Sequence, residues 1–198
     1  MIVGLGIAIG LAQINGPYPE VAILHHAPTV FAIVIAPLLL RRWPITDASL
    51  LCIVLFLLLH TLGGRYTYTD TPYDAWAETI FGTTINEIFG WERNHYDRLV
   101  HFAFGVLAFV PFSEWGRQYL GLSLHKAALV ALLWVFSIGA LYEIFEWGLT
   151  LVAGGATADA YNGQQGDIWD AQKDMALAAL GALIMWMLLA FRSRRAVR

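Results

Sequence analysis

Long apolar runs separated by short polar segments fill most of the chain. Five of them are long enough to cross a bilayer as helices, allowing for tilt and interfacial ends, and they lie at about 27–41, 47–63, 98–114, 124–153 and 174–191. An earlier run has an apolar part of about 12 residues, fewer than the roughly 20 of a usual span, and we interpret it as a short first membrane helix. The pattern predicts an all-α, polytopic transmembrane helical bundle of about six spans.

Two polar segments interrupt these runs. One covers about 64–97 and is rich in Thr, Tyr, Asp and Gly, and the other covers about 154–170, where Gly and Asn mark a loop. No internal repeat is evident. We therefore expect a single integral membrane domain over residues 1–198, with both polar segments as loops at one face.

The distribution of positive charge predicts the orientation, because cytoplasmic loops carry an excess of Lys and Arg. Six alternating spans would bring most of the basic residues to one side: Arg41, Arg42, Arg117, Lys126, Arg192, Arg194, Arg195 and Arg198. That side is predicted to be cytoplasmic. Both termini are then inside, and the two polar loops are at the outer face.

The composition agrees with a membrane protein and excludes several other classes. The chain is 58% hydrophobic and 14% charged, with a mean hydropathy of +0.59, whereas soluble domains are about half apolar and a quarter charged. A net charge of −3 gives no reason to expect a nucleic-acid partner. The single cysteine, Cys52, excludes an internal disulfide and a cysteine-based metal cluster. The sequence contains no nucleotide-binding fingerprint.

Ionisable residues gather at the outer ends of four predicted spans. Asp97/His101 and Asp170/Asp174 are i, i+4 pairs and Glu143/Glu146 is an i, i+3 pair, so the members of each pair share a helix face. Carboxylates inside a span are costly and usually functional, and neighbouring carboxylates repel unless a proton or cation lies between them. Mixed oxygen and nitrogen ligands suit Zn, Mn or Fe, with Mg also possible. The predicted ligands of a divalent metal are His60, Asp97, His101, Glu143, Asp170 and Asp174.

Other polar residues complete the candidate site. Glu146 is the candidate catalytic base, and Arg65, Arg93 and Tyr66 are candidate substrate-binding residues that would hold an anionic head group. A structural alternative stays open, in which the carboxylates cap helices and pair with nearby cations. Those cations are Arg65, Arg93, Arg98 and Lys173.

Four stretches in this order, "GGRYTYTDTPYD", "RNHYDRLVHFAFG", "YEIFEW" and "GQQGDIWDAQKDM", resemble the YjdF-type inner-membrane protein family of bacteria. The resemblance implies a multi-pass protein of the bacterial inner membrane, and it does not imply a particular reaction. A more distant similarity is to VanZ-like proteins, through Asp97/His101, the glutamate pair, Asp170/Asp174 and Gly181. Glu146 and Asp174 depart from that pattern and add negative charge, which favours a bound cation.

Three functions remain open on the sequence. The leading hypothesis is a membrane-embedded, metal-dependent hydrolase or transferase that acts at the outer leaflet on a lipid or lipid-linked substrate. The second is a transporter of protons or divalent cations, since clustered intramembrane carboxylates and histidines also build relays. The third is a structural or accessory membrane protein whose polar cluster holds the bundle together. The sequence does not indicate an oligomeric state.

Overall fold

The computed structural model describes residues 1–153 and 163–196. Throughout these ranges the regular structure is helical, which confirms the predicted all-α fold. The helices are α1 (Ile2–Gln13), α2 (Pro19–Arg42), α3 (Asp47–Arg65), α4 (Tyr73–Phe81), α5 (Ile85–Phe89), α6 (Tyr96–Tyr119), α7 (Leu124–Ala153) and α8 (Asp170–Ala196).

Five of these helices, α2, α3, α6, α7 and α8, are long and apolar enough to cross a membrane. The first helix, α1, has 12 residues and is about 18 Å long, well short of the roughly 30 Å hydrocarbon core. The five long helices match the five predicted long spans. The sixth predicted segment is a helix that is too short to cross the bilayer upright.

The helix bounds differ from the prediction mainly in α2 and in the polar segments. α2 begins eight residues before the predicted start and contains Pro28 and Pro37, which a membrane helix tolerates because neighbouring groups satisfy the freed backbone. The segment 64–97 contains α4 and α5. A capping box between Thr84 and Glu87 begins α5, and the Thr84 backbone N–H lowers the pKa of Glu87. Of the other predicted loop, 154–170, residues 154–162 lie outside the described residues.

Helix α6 is the centre of the bundle and packs against α3, α7 and α8. Its C-terminal part meets the start of α3, where Glu114 accepts hydrogen bonds from the Thr46 backbone N–H and hydroxyl at 2.6 Å each. The two helices are therefore antiparallel. The N-terminal end of α6 lies beside the end of α3 and the beginning of α8.

The closest helix crossing joins α6 and α8 through two glycines. A Cβ on Gly105 would stand 1.9 Å from the Ala178 carbonyl oxygen, and a Cβ on Gly181 would stand 2.4 Å from the Phe102 carbonyl oxygen. Only glycine permits this approach of the two backbones. The crossing fixes α8 against the face of α6 that carries the candidate site.

Buried histidines join the three N-terminal helices. His26 contacts the Gln13 side-chain amide at 2.6 Å and the Thr61 carbonyl at 3.1 Å, so it links α1, α2 and α3. His60 Nε2 donates to the His25 carbonyl at 2.8 Å. These side chains satisfy backbone and amide groups at the helix interfaces, away from water.

Candidate functional site

Three predicted metal ligands come together between α6 and α8. Asp97, His101 and Asp174 each offer one ligand atom, and the three atoms lie within 4.8 Å of one another. His101 Nε2 stands 3.6 Å from Asp97 Oδ1, as their i, i+4 spacing on α6 predicts. Asp174 lies in the second turn of α8, and the close crossing brings it to the same point. We call Asp97, His101 and Asp174 the ligand triad.

Helix α7 adds two carboxyl groups to this triad. Glu143 Oε1 is 3.7 Å from His101 Nε2, and Glu146 lies within electrostatic range of Asp97, Glu143 and Asp174. Glu143 is 8% exposed and Asp174 is 2% exposed. Within the described residues, Glu143 Oε1 and Asp174 Oδ1 are buried and have no hydrogen-bonding partner. Buried carboxyl oxygens without a partner are costly, and a bound cation would satisfy both of them.

The predicted ligand Asp170 has a different environment. Its side chain is 4% exposed and accepts from Arg93 at 2.7 Å, with Arg98 3.6 Å away. Asp167 pairs with Arg98 and, at 2.6 Å, with Lys173. We call Arg93, Arg98, Asp167, Asp170 and Lys173 the ion-pair layer. Asp170 is thus paired with the Arg93 guanidinium. The structural alternative, in which carboxylates pair with nearby cations, predicts this pairing.

Charge is distributed unevenly between the ion-pair layer and the site beneath it. The ion-pair layer contains three cations and two carboxylates, and the hydrogen bonds from Lys173 and from the Trp169 backbone N–H lower the pKa of Asp167 to about 2. In the part of the chain that the structure describes, no Lys or Arg nitrogen lies within 4.0 Å of a carboxyl oxygen of Asp97, Glu143, Glu146 or Asp174. Among the described residues these four carboxyl groups therefore have no Lys or Arg partner, and the His101 imidazole lies beside two of them, Asp97 and Glu143.

The predicted ligand His60 lies across a cleft from the triad. Its Nε2 is bonded to the His25 carbonyl at 2.8 Å, and its Nδ1 is bonded to the Tyr68 hydroxyl. Both ring nitrogens are thus engaged in this structure. His60 lines the cleft, and it is not part of the triad.

Arg65 and Tyr66 lie at the end of α3, beside α1. The Arg65 guanidinium donates to backbone carbonyls at and beyond the C-terminal end of α1, those of Leu11 (3.3 Å), Ala12 (2.7 Å), Ile14 (3.0 Å) and Asn15 (3.4 Å). It also lies 5.4 Å from the ring centroid of Tyr66. Arg65 therefore completes the end of α1, and Arg93 is engaged by Asp170. Both predicted substrate-binding arginines have partners within the protein.

A cleft of about 160 Å³ opens beside the triad, between α3 and α7, which both pack against α6. Asp97, His101, His60 and Tyr68 supply its polar groups. The rest of the lining is mostly apolar and comprises Pro28, Phe56, Leu57, Val100, Phe104, Ile138, Gly139 and Tyr142. We call this the inner cleft.

A second, polar pocket of about 490 Å³ lies among the loops at the same end of the bundle. It is lined by Tyr18, Thr67, Thr69, Asp70, Gln164, Gln165 and Gly166. We call this the outer pocket. The Gln165 side-chain amide accepts from the Asn94 N–H at 3.0 Å and donates to the Asn94 carbonyl at 3.0 Å, so it joins the segment before α8 to the segment before α6.

Three residues of this region, Tyr142, Gly163 and Gln165, were not predicted from the sequence. The ring of Tyr142 meets that of His101 edge-on at 6.0 Å and lines the inner cleft. Gly163 and Gln165 connect the segment before α8 to Arg93 and Asn94, in the segment before α6. Tyr142 directly precedes Glu143 in the sequence, and this proximity is the one sequence signal that indicates Tyr142. The role of the other two depends on contacts with residues about 70 positions away, which no local pattern reveals.

The comparisons with known proteins support the membrane assignment. Residues 1–195 match a family described as "Predicted membrane protein (DUF2238)". The chain is 36% identical over 166 residues to the inner membrane protein YjdF of Escherichia coli (strain K12), covering 80% of this chain and 73% of the relative. No solved structure matches the chain significantly. With five candidate spans, the protein is a multi-pass inner-membrane protein, and it belongs to the DUF2238 family of predicted membrane proteins.

Proposed function

We propose that this protein is a metal-dependent hydrolase or transferase that acts on a lipid or lipid-linked substrate at the outer face of the inner membrane. The observation that carries the proposal is the pair of buried, unpartnered carboxyl oxygens on Glu143 and Asp174, which lie beside His101, a residue that lines an apolar cleft. A purely structural charge network would pair these oxygens with Lys or Arg, as the ion-pair layer does for Asp170.

The ligand triad would hold a divalent cation, with Glu143 as a further ligand. One imidazole nitrogen and several carboxylate oxygens form a donor set that suits Zn, Mn or Fe(II), and Mg is possible. The ligand atoms of the triad itself already lie within 4.8 Å of one another. Small rotamer changes would bring them to about 2.0–2.2 Å from a common centre.

The chemistry follows from this arrangement. A bound cation would make a coordinated water more acidic and neutralise charge on a phosphoryl or acyl oxygen of the substrate. Glu146, the candidate base, would accept the proton as the water oxygen forms its bond to phosphorus or carbon, and the bond to the leaving oxygen would break. The same proton would then pass to the leaving group, which leaves the enzyme unchanged. In a transferase, a substrate hydroxyl would replace the water.

The position of the inner cleft supports a lipid substrate. Its walls are mostly apolar, and neighbouring positions on the two flanking helices, Leu58 on α3 and Leu141 on α7, are exposed. In a multi-pass membrane protein such surfaces contact acyl chains. A lipid tail could enter the cleft from the bilayer. The bond that joins this tail to the head group would then lie beside the triad.

The test is the metal content of detergent-purified protein that has not been treated with chelator, measured by elemental analysis. We expect near-stoichiometric metal in the wild type. His101→Ala and Asp174→Asn should each lose most of it, because each removes a ligand. His125→Ala and Asp47→Asn change the same residue types at exposed positions outside the site and should retain it.

Two results would contradict the proposal. One is a wild-type protein that stays free of metal after Zn, Mn, Fe and Mg are supplied. The other is an equal metal content in the ligand variants and their controls while all of them elute as folded particles. Either would favour a proton-linked carrier or a structural charge network.

A further inference from the structure

We infer that the segment formed by α4 and α5 is an interfacial anchor, whose apolar side lies in the lipid of the protein's own membrane at the end of the bundle that carries the ligand triad. The residues of this side, which we call the apolar face, are Trp76, Ile80, Phe81, Ile88, Phe89 and Trp91. The inference goes beyond the proposed function and does not depend on a bound metal.

The apolar face exposes more hydrophobic surface than contact with water favours. Ile80 and Phe81 are 70% and 75% exposed, as much as Val34 on the membrane span α2, at 74%. The sequence from residue 66 to residue 92 contains no lysine or arginine. Attraction between basic side chains and lipid phosphates therefore contributes nothing here, and burial of the apolar side chains in lipid would hold the segment at the membrane.

The pattern of α4 shows which way this face is turned. Tyr73, Trp76, Ala77, Ile80 and Phe81 recur at i, i+3, i+4, i+7 and i+8, so they form one side of the helix. The first part of this side is held by the bundle, because Tyr73 packs against a buried cluster at the beginning of α6 and Ala77 is 5% exposed. Ile80 and Phe81 face the same way and extend past the protein that covers Ala77. Beyond the edge of the bundle, that direction leads to the bilayer.

Two ring contacts place the segment at the depth where membrane spans end. The ring of Trp76 meets that of Tyr66 edge-on at 6.3 Å, and Tyr66 directly follows α3. The ring of Trp91 stacks on that of His95 at 4.1 Å, and His95 directly precedes α6. Trp and Tyr concentrate at this depth, where the hydrocarbon meets the head groups. The apolar face is therefore continuous with the lipid-contacting surface of the spans.

Hydrogen bonds on the polar side hold α4 and α5 in this orientation. The Asn86 backbone N–H donates to Asp74 at 3.1 Å, and the Tyr73 hydroxyl donates to the Asn86 side chain at 2.7 Å. The same hydroxyl accepts from the His95 backbone N–H at 2.8 Å, next to the first residue of α6. The two short helices are thus attached to a membrane span, and their apolar face cannot turn away from the bilayer without breaking these bonds.

The experiment measures the surroundings of single spin labels by electron paramagnetic resonance. Each label is attached to one cysteine in a Cys52→Ser background, and the protein is reconstituted into phosphatidylcholine vesicles. Collisions are measured with oxygen, which concentrates in hydrocarbon, and with a neutral nickel chelate, which concentrates in water and is enclosed in the vesicles as well as added outside. Val34→Cys on α2 provides the reference for a label in lipid.

The ratio of oxygen to nickel collisions should be severalfold higher for Ile80→Cys and Phe81→Cys than for Ala75→Cys and Thr79→Cys. The last two are matched controls, because Ala75 and Thr79 are exposed residues on the opposite side of the same helix. All four variants replace exposed side chains, so each should fold like the wild type.

Two results would overturn the inference. An equal ratio at all four positions would show that α4 has no side that faces lipid. Immobile labels at Ile80→Cys and Phe81→Cys that collide rarely with either reagent would show that a second copy of the chain covers the face. Neither result bears on the proposed function, which is decided separately by the metal content of His101→Ala and Asp174→Asn.

Discussion

Partners, and not burial, distinguish Asp170 from Asp174. The two side chains lie one turn apart on α8 and are 4% and 2% exposed, yet the first accepts from a guanidinium and the second keeps a buried oxygen without a partner in the described structure. A paired carboxylate stabilises the loops that meet above the site. An unpaired one at the same depth costs stability, and a bound cation would offset that cost.

The ion-pair layer predicts how stability depends on pH. Hydrogen bonds from Lys173 and the Trp169 backbone N–H, together with Arg98, lower the pKa of Asp167 from 3.8 to about 2. A lowered folded-state pKa contributes stability above the unfolded-state value, and that contribution is lost as the pH falls from about 4 to about 2. Asp167→Asn should therefore lower the thermal midpoint at neutral pH, and its difference from wild type should shrink across this window.

The measurement is the thermal midpoint of both proteins in detergent at several pH values from about 7 down to about 2.5. Asp47→Asn serves as the control, because Asp47 is exposed and begins α3, at the end of that helix away from the ion-pair layer. A difference between wild type and Asp167→Asn that stays constant down to the lowest pH would show that the carboxylate does not contribute through its charge.

At the residue scale, the sequence predicted which residues of a single helix lie side by side. It did not predict how a residue's role depends on contacts with a different helix or loop. Asp97 and His101 meet because i, i+4 spacing on α6 brings them together. The same spacing for Asp170 and Asp174 predicted a shared face and could not tell which of the two meets Arg93, 77 positions away. The engagement of His60 by Tyr68 depends on how the chain turns after α3. Whether any of these residues binds metal remains a prediction.

Between elements, the approach of α6 and α8 determines whether the triad exists. Its ligands come from both helices, so any increase in their separation moves Asp174 away from His101. Hydropathy predicted both helices and gave no measure of this distance. The small residues at Gly105 and Gly181 are compatible with close packing, but the sequence does not show that they face one another.

Gly105→Ala should disrupt this crossing. The added methyl would overlap the Ala178 carbonyl oxygen, 1.9 Å away, so the helices must separate at a cost of about 1–3 kcal/mol. We expect a lower thermal midpoint and, if the triad binds metal, weaker metal retention. Thermal unfolding in detergent and elemental analysis measure the two effects.

Gly148→Ala is the control for this substitution. It also adds one methyl group to a membrane helix, at a position where nothing lies within 4 Å, and should leave stability unchanged or slightly higher. Equal midpoints for Gly105→Ala and Gly148→Ala would mean that the α6–α8 contact is looser than described.

Hydropathy located the ends of helices most accurately where apolar runs begin and end sharply. The predicted span 124–153 coincides with α7, and 47–63 falls two residues short of the end of α3. α2 extends beyond its predicted start because His25 and His26, polar in the sequence, are buried against α1 and α3. The short helices α4 and α5 have too few residues for a hydropathy pattern to show them.

Across the whole molecule, an apolar cluster closes the bundle beneath the site. It consists of Phe109, Ala128, Ala131, Val135, Ala178 and Ala182. Phe109, Val135 and Ala182 each lie eight residues along their helices from His101, Glu143 and Asp174, or about 12 Å. This arrangement favours chemistry at one face over passage through the bundle, since a carrier needs polar access from both sides.

The predicted orientation can be tested with single cysteines. In a Cys52→Ser background, Thr79→Cys in α4 should react with a membrane-impermeant maleimide added to intact spheroplasts. Arg117→Cys, exposed near the opposite end of α6, should react only after lysis. The reverse labelling pattern would place the site at the cytoplasmic face.

The shallow position of the triad has an electrical consequence. Asp97 and His101 are the second and sixth residues of α6 and Asp174 is the fifth of α8, so the triad lies within about 8 Å of the helix ends, or about one quarter of a 30 Å hydrocarbon core. A divalent ion that reaches it crosses only that fraction of the transmembrane voltage, worth about 1.2 kcal/mol per 100 mV. Occupancy of the site should therefore change little between energised and de-energised membranes.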